Sequence, residues 1–472
     1  MMGILRTILF AATGLAATGA AFAQQTDSAS LFRTQREHAS PVAALAATAY
    51  ATPALRSEAF AGSLSEISVG YEMRREEKAL EQQKGDGGDF GRFSAGSYKH
   101  ISGKGTVWGD AGYLRGAKRN VVWNASSDYD LVFPYVVADS IGGDLTSEEY
   151  TFGGGYGHRS GRYTWALEAG ARALHEYRDS DPRIRNVAID IDAGAGASVR
   201  MGNYRLGLSA ALRVYKQSGS QIQYAHSAGE KGVYHLSGLG SHYAGFEGNA
   251  NSQTRYRGSG YGLTLALVPD AGRGGLHLAA GYEYLHIEKE LPGSADLVLQ
   301  KVVPRSFHAE AAWLRGSGNG LRWGVALKAR YDYRRGDEGI VDDNNSSQGS
   351  GTLGFLTLFE YSALQGRAEA VFGVEAAGHA WYVCPWGEYR RRTSDYLYPA
   401  QNMEFTRAGG GVDFRCVLQR RSLLLRLEAG GGYTAGLDSG LTLPVADLAA
   451  PLVRMVQYDY GRLRQAAATL RL

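Results

Sequence analysis

Ionisable side chains in this sequence recur at every second position of otherwise apolar stretches. In Leu321–Arg335 one parity carries Arg322, Lys328, Arg330, Asp332 and Arg334, and the other carries Leu321, Trp323, Val325, Leu327, Tyr331 and Tyr333. Glu168 and Arg172 alternate with Tyr163, Trp165 and Leu167. Asp190 and Asp192 alternate with Val187, Ile189 and Ile191, and Arg205 and Arg213 with Tyr204, Leu206, Leu208 and Leu212. Glu369 and Glu375 share one parity further along. Acids and bases are mixed, so the chemistry open to them is solvation and mutual pairing. They would line a polar passage of weak ion selectivity, or fill it as paired ladders. A charge facing lipid at midplane costs about 2–4 kcal/mol for Arg or Lys, so these candidate pore-lining residues are expected to face inward.

Signals for catalysis are weaker. His158, His175, His277, His308 and His379 are scattered, and no HExxH motif occurs. The GSGNG run at Gly316–Gly320 reads as a turn, and Ser, His and Asp are too frequent for a triad to be assigned. The protein is read as no enzyme, with a membrane-embedded hydrolase kept as the third functional reading. No cofactor and no metal are expected.

The elements that must position the charged parity are β-strands, because only a period of two separates the faces in this way. Leu321–Arg335 runs for about 15 residues, against the usual 5–6 of a soluble strand. Its apolar parity carries aromatics near both ends, the layout of a lipid-facing strand with interfacial girdles. Similar segments recur through the chain. The expected fold is all-β: a transmembrane antiparallel up-and-down β-barrel of about 16 strands, within a range of 14 to 18, spanning residues 64–472. A barrel of that size is too wide for its own side chains to fill. A propeller would repeat at about 40–50 residues with a blade signature, and none is present.

Composition agrees. Gly makes up 64 of 472 residues, and Tyr (29) outnumbers Phe (15) while Pro is scarce at 11; the glycine share is about twice the usual 7%. Long strands, tight turns and aromatic belts use such a mixture. The formal charge of +3 lacks the basic surplus of a nucleic-acid binder.

Residues 1–23 read as a secretory signal peptide: Arg6, an apolar stretch from Ile8 to Ala20, then Ala21-Phe22-Ala23 as the cleavage site. Residues 24–63 form an Ala-rich periplasmic lead-in, lying outside the barrel or entering its mouth. Connections then alternate. Short ones fall at 102–105, 158–161, 201–202, 269–275, 315–320, 365–366 and 419–420; longer ones at 75–89, 117–148, 178–185, 217–254, 289–301, 336–350, 384–401 and 436–454. Short turns on one side and long loops on the other match the membrane-barrel topology. Met455–Leu472 is expected to be the closing strand, with Leu472 in place of the usual terminal aromatic. Gly153–Gly155 and Gly409–Gly411 lie inside strands and are read as kinks or points of close backbone approach. Cys384 and Cys416 are expected to be free thiols near opposite ends of neighbouring strands, beyond the roughly 7 Å reach of a disulfide.

Several motifs resemble an uncharacterised family of outer-membrane β-barrel proteins of Bacteroides-type bacteria, known as a domain of unknown function. They are Gly109–Tyr113, Trp123-Asn124 with Asp128–Asp130, Pro134–Ser140, Tyr177–Arg183 with Asn186, and Gly238–Tyr243. The resemblance covers most of the chain beyond the leader. It implies a barrel in the cell outer membrane and no particular activity. Ala51–Ala54 is loosely similar to the Asn-Pro-Ala element of long-chain fatty-acid transporter-like barrels, with Thr52 in place of the Asn.

Among the loops, Asp181, Arg183 and Tyr135 are candidates for a constriction, with a loop anchor the favoured reading of the Asp181–Arg183 stretch. Arg390, Arg391 and Arg392 on the 384–401 loop would suit anionic headgroups. The leading function is a porin-like channel for passive passage of a small polar or amphipathic solute. The alternative is a non-conducting barrel that holds a partner through its external loops. Expected partners are outer-membrane lipid, the barrel-assembly machinery, an unidentified solute and, by analogy with porins of this size, further copies of the chain.

Overall fold

The computed structural model describes residues 8–13, 28–219, 222, 232–243, 253–270, 274–292, 297–315, 320–341, 352–376, 378–420, 423–444 and 450–471. The alternating segments form one sheet of 17 strands, of which Ile8–Thr13 is one. The other strands are β1 (Leu64–Arg75), β2 (Gly87–His100), β3 (Gly105–Val121), β4 (Gly143–Ser160), β5 (Tyr163–Tyr177), β6 (Arg185–Met201), β7 (Tyr204–Gly219) and β8 (Thr254–Pro269). They continue with β9 (Gly275–Leu291), β10 (Leu297–Arg315), β11 (Gly320–Val341), β12 (Thr352–Glu375), β13 (His379–Tyr396), β14 (Gln401–Arg420), β15 (Leu423–Thr442) and β16 (Ala467–Arg471). Each pairs antiparallel with the next. Among the described residues, no pairing joins β16 to β1 directly. Ile8–Thr13 lies in the gap, parallel to β16 and antiparallel to β1.

The two faces divide as the alternation requires. Leu321, Val325, Leu327 and Tyr331 of β11 are 42–67% exposed, as are Val187, Ile189 and Ile191 of β6 at 44–49%. In β11 the other parity, at Gly324 and Ala326, is buried. Among the described residues, no helix is long and apolar enough to cross a membrane.

Four expectations are corrected. Gln365-Gly366 is not a turn: it lies in mid-strand, with Gln365 opposite Arg390 and Gly366 opposite Ala329. The outward series Leu364, Ala368, Phe372, Val374 continues through the glycine, and the strand runs on to Glu375. Residues 384–396 are strand rather than loop; both faces are polar there, so the apolar signature is missing. Residues 436–442 extend β15. Met455–Leu472 is not one strand but helix α6 (Pro451–Leu463) followed by the short β16. Pro451 starts that helix, and Leu452, Met455, Val456 and Leu463 recur at helical spacing and are buried.

The thiols are free. They sit on neighbouring strands as expected, but three residues apart in register rather than near opposite ends: Cys384 lies opposite Asp413 and Cys416 opposite Trp381. The three-residue offset puts them on opposite faces. The cleavage site at 21–23, the 316–319 turn and most of the 217–254 loop lie outside the described residues.

Candidate functional site

The inner face is occupied at both ends, and a polar chamber lies between. At the short-turn end sits the lead-in, folded as α1 (Ser28–His38), α2 (Pro41–Ala44), α3 (Ala47–Tyr50) and α4 (Pro53–Arg56). Pro41 and Pro53 each open a helical turn, and the Ser40 hydroxyl accepts the Ala43 N–H at 3.4 Å. Its small and apolar residues bury against the wall nearly all the way round. Ala54 packs with Tyr98, Trp108 and Ala166, Leu55 with Ala266 and Val268, and Leu45 with Ala326 and Tyr382. Wall glycines make the sockets. A Cβ at Gly207 would stand 2.8 Å from the Leu55 side chain, one at Gly324 2.8 Å from Leu45, and one at Gly157 2.3 Å from Ser57.

Polar contacts set the lead-in's position. Arg205 meets Glu58 at 2.9 Å, the Thr48 hydroxyl donates to Glu310 at 2.7 Å, and Arg36 approaches Glu375 at 4.0 Å. Burying Val42, Leu45 and Leu55 contributes about 1.5–3 kcal/mol each, whereas for largely buried pairs such as Arg205 with Glu58 desolvation offsets most of the attraction. The apolar sockets therefore hold the lead-in and the charges orient it.

At the long-loop end a cap forms from residues 76–86, 122–142 with its helical turn α5 (Tyr129–Val132), and 233–242, together with α6. Its core joins Val132, Tyr135, Val136, Leu236, Met455 and Val456 to inward residues of β5–β10 and β12–β14, among them Leu174, Ile287, Phe359 and Phe405. Several buried polar groups of the cap bond to the wall. The Tyr256 hydroxyl donates to the Tyr135 carbonyl at 2.8 Å, the Asn186 amide to the Ala125 carbonyl at 2.8 Å, and Lys289 to the Val136 carbonyl at 3.4 Å. Asp128, in the left-handed region at φ 50°, receives two hydrogen bonds from Arg172 at 2.6 and 3.0 Å and one from the Tyr215 hydroxyl at 3.0 Å.

Between lead-in and cap lies a cavity of about 930 Å³, with Arg56 at its floor and Asp130 and Leu131 of the cap at its roof. Arg213 binds Asp190 through Nε at 2.9 Å, and across the lumen Arg330 binds Asp332 at 2.8 Å and the Ser306 hydroxyl at 2.8 Å. Arg334 donates to the carbonyls of Phe133 and Asp130 in the cap. Glu168 and Asp110 flank Arg56. Asp192 is exposed to the chamber and has no ion pair among the described residues.

The residues expected to line a pore therefore divide. Glu168, Arg172, Asp190, Asp192, Arg213, Arg330 and Arg334 come together around this chamber. Arg205, Arg322, Lys328, Glu369 and Glu375 lie lower, at or near the seat of the lead-in. Arg322 pairs with Glu375 at 3.2 Å and Lys328 with Glu369 at 2.9 Å. Tyr135 is 1% exposed, inside the cap core rather than facing a passage. Arg183 pairs with its neighbour Asp181 at 3.2 Å, not with an inward acid, and remains largely exposed. Arg392 is not a headgroup contact; it points inward to Glu81 at 2.7 Å. Trp108 and Arg56 escaped the sequence reading, and Arg178 entered it only within the Tyr177–Arg183 motif. Trp108 shares the inward parity of Asp110, the one signal that could have found it. Among the described residues, no three His, Cys, Asp or Glu side chains converge to hold a metal.

The geometry defines a class: a long-stranded antiparallel wall, apolar outside and charged inside, that encloses a capped polar chamber. The chain belongs to a family of unknown function, DUF6850, whose pattern matches residues 53–472. No curated protein matches it. Solved structures similar to it include the unliganded ferric citrate transporter FecA, at 9% identity and TM-score 0.32 over 79% of this chain and 66% of that one. The alcaligin outer membrane receptor FauA from Bordetella pertussis follows at 9% and 0.33 over 80% and 68%. The RagAB peptide importer in its closed-closed state matches at 10% and 0.34 over 82% and 50%. The chain thus spans about two thirds of FecA and half of the RagAB chain. Likeness at this level carries no argument about function.

Proposed function

We propose that the protein is an outer-membrane β-barrel acting as a gated, porin-like passage for a small polar or amphipathic solute. The carrying observation is the polar chamber of about 930 Å³ held between the lead-in and the cap. The outward apolar face supports the membrane location, since apolar surface of this extent is costly in water. Both ends of the lumen are filled, so the resting state is closed. The lead-in is the movable part: beyond its covalent link to β1, its hydrogen bonds to the wall each involve a side chain, whereas the wall is joined by strand ladders.

Single-channel conductance in a planar bilayer tests this. The chain lacking residues 1–23 should be mostly silent. Leu45→Ala with Leu55→Ala, which empties two sockets and leaves the ladders intact, should conduct in discrete steps. Silence of this variant, with heat-modifiable mobility preserved, would retire the channel reading. The second reading, a non-conducting barrel that binds a partner, draws on the same packed cap. It predicts silence in every variant and a partner that co-purifies through the long-loop end.

A further inference from the structure

Among the described residues, Arg56 is the only guanidinium that the lead-in places against the chamber. Its Nη2 stands 3.7 Å from Asp110 and its Nη1 3.9 Å from Glu168. The guanidinium carbon lies 5.6 Å from the centre of the Trp108 ring, within the range of a cation–π contact. Trp108 lies close against the wall because Gly155 has no side chain; a Cβ there would meet the ring at 2.3 Å. Trp108 is 5% exposed, and its Nε1 is buried without a hydrogen-bond partner. Asp192 adds a further carboxylate on the same wall, with no ion pair among the described residues.

The wall uses the same arrangement elsewhere with a cation of its own. Arg367 lies 4.7 Å over Trp386 and pairs with Glu369 at 2.5 Å and Glu388 at 3.6 Å. Aromatic face and paired carboxylates are a complete recognition set for a guanidinium or ammonium group. At Trp108 the set is present on the wall, but its cation is brought by the lead-in, across distances too long for direct hydrogen bonds.

We infer that Trp108, Asp110, Glu168 and Asp192 form a seat for a cationic group of the solute, a primary amine or a guanidinium, and that Arg56 occupies it as a stand-in while the chamber is closed. The inference rests on the gated-chamber reading and adds its substrate class. Lead-in and solute then compete: a cation bound at the wall displaces Arg56 and favours opening, and a seated Arg56 lowers the apparent affinity for the cation by the fraction of closed molecules.

Calorimetric titration of the chain lacking residues 1–23, in detergent micelles, tests it. The probes are spermidine and methylguanidinium, with citrate and sucrose as anionic and neutral controls. Arg56→Ala should bind spermidine about tenfold or more tightly than the parent, and Arg56→Gln should do the same. Adding Asp110→Asn and Glu168→Gln to Arg56→Ala should abolish the gain, and neither control should respond. No gain in either Arg56 variant, with heat-modifiable mobility intact, overturns the inference, as does an equal gain for citrate. Conductance of the Leu45→Ala, Leu55→Ala variant separates the two readings. Conduction without a cation gain leaves a gated passage of another specificity, and a cation gain without conduction leaves a binding seat in a closed barrel.

Discussion

Arg178 and Asp139 meet at 3.1 Å with neither side chain exposed. Arg178 comes from the loop after β5 and Asp139 from the cap strand Val137–Asp139. The carboxylate also accepts the Ile141 and Gly142 N–H groups at 3.1 and 2.6 Å, and Arg178 donates to the Pro182 carbonyl at 3.2 Å. The pair ties the cap to the rim of the wall. Removing one partner of a buried pair costs about 3–5 kcal/mol, so Arg178→Met should loosen the cap. Amide exchange over residues 122–142 should quicken, and adding Asp139→Leu should restore part of the protection. Unchanged exchange in the single variant would mean that the apolar core alone holds the cap.

The pH dependence of the cap follows from two carboxyls outside the strands. Burial pushes Asp459 of α6 up from 3.8 to about 7, against the Gln82 N–H that donates to it at 3.1 Å. Burial also works to raise Glu81, but Arg392 and Lys84 outweigh it and bring its pKa from 4.5 down to about 2. Folding therefore takes up protons at Asp459 and releases them at Glu81. The stabilisation tied to Asp459 is complete below about pH 4 and is lost as pH rises through about 7. That tied to Glu81 is complete above about pH 4.5 and is lost as pH falls toward 2. Protease sensitivity of α6 should rise between pH 5 and pH 8, roughly the upper limb of this window. Asp459→Asn should flatten that rise, and a rise of equal size in the variant would assign it to another group.

The two parities of β11 should respond oppositely to charge. Leu327 is 66% exposed on the outer face. Leu327→Arg should lower stability in lipid vesicles by about 2–4 kcal/mol if that face meets the bilayer core. Its inward neighbour Lys328 should tolerate Gln with a smaller loss, limited to its pairs with Glu369 and Glu310. Equal tolerance at both positions would argue against a membrane-facing wall.

The glycine sockets predict where added bulk dislodges the lead-in. Gly207→Val would collide with Leu55, whose Cγ stands 2.8 Å from the Cβ position. Limited proteolysis should then cut within residues 28–63 faster than in the parent, with the wall intact. Gly366 has open space beside it, so Gly366→Val on the outer face should leave the cleavage rate unchanged.

Much of the wall was legible in the sequence, because a period of two is a local property. Once Leu321–Arg335 is extended, Arg322, Lys328, Arg330 and Arg334 must share a face wherever the strand lies. The same holds for Glu168 with Arg172 and for Asp190 with Asp192. The strand map blurred where that period lost its apolar half, at 384–396, and where a glycine looked like a turn, at Gly366. Helix α6 was missed because strand and helix readings of 455–463 compete until a partner surface decides between them. What the charged face encloses was decided only by tertiary structure. Whether Arg205 meets solute or Glu58, whether Arg392 reaches lipid or Glu81, and whether Tyr135 lines a passage or a core all depend on contacts between residues far apart in sequence. No local pattern encodes them: packing the lead-in and the cap into the wall brings those groups within reach of one another, and burial then selects the pairs that satisfy each charge.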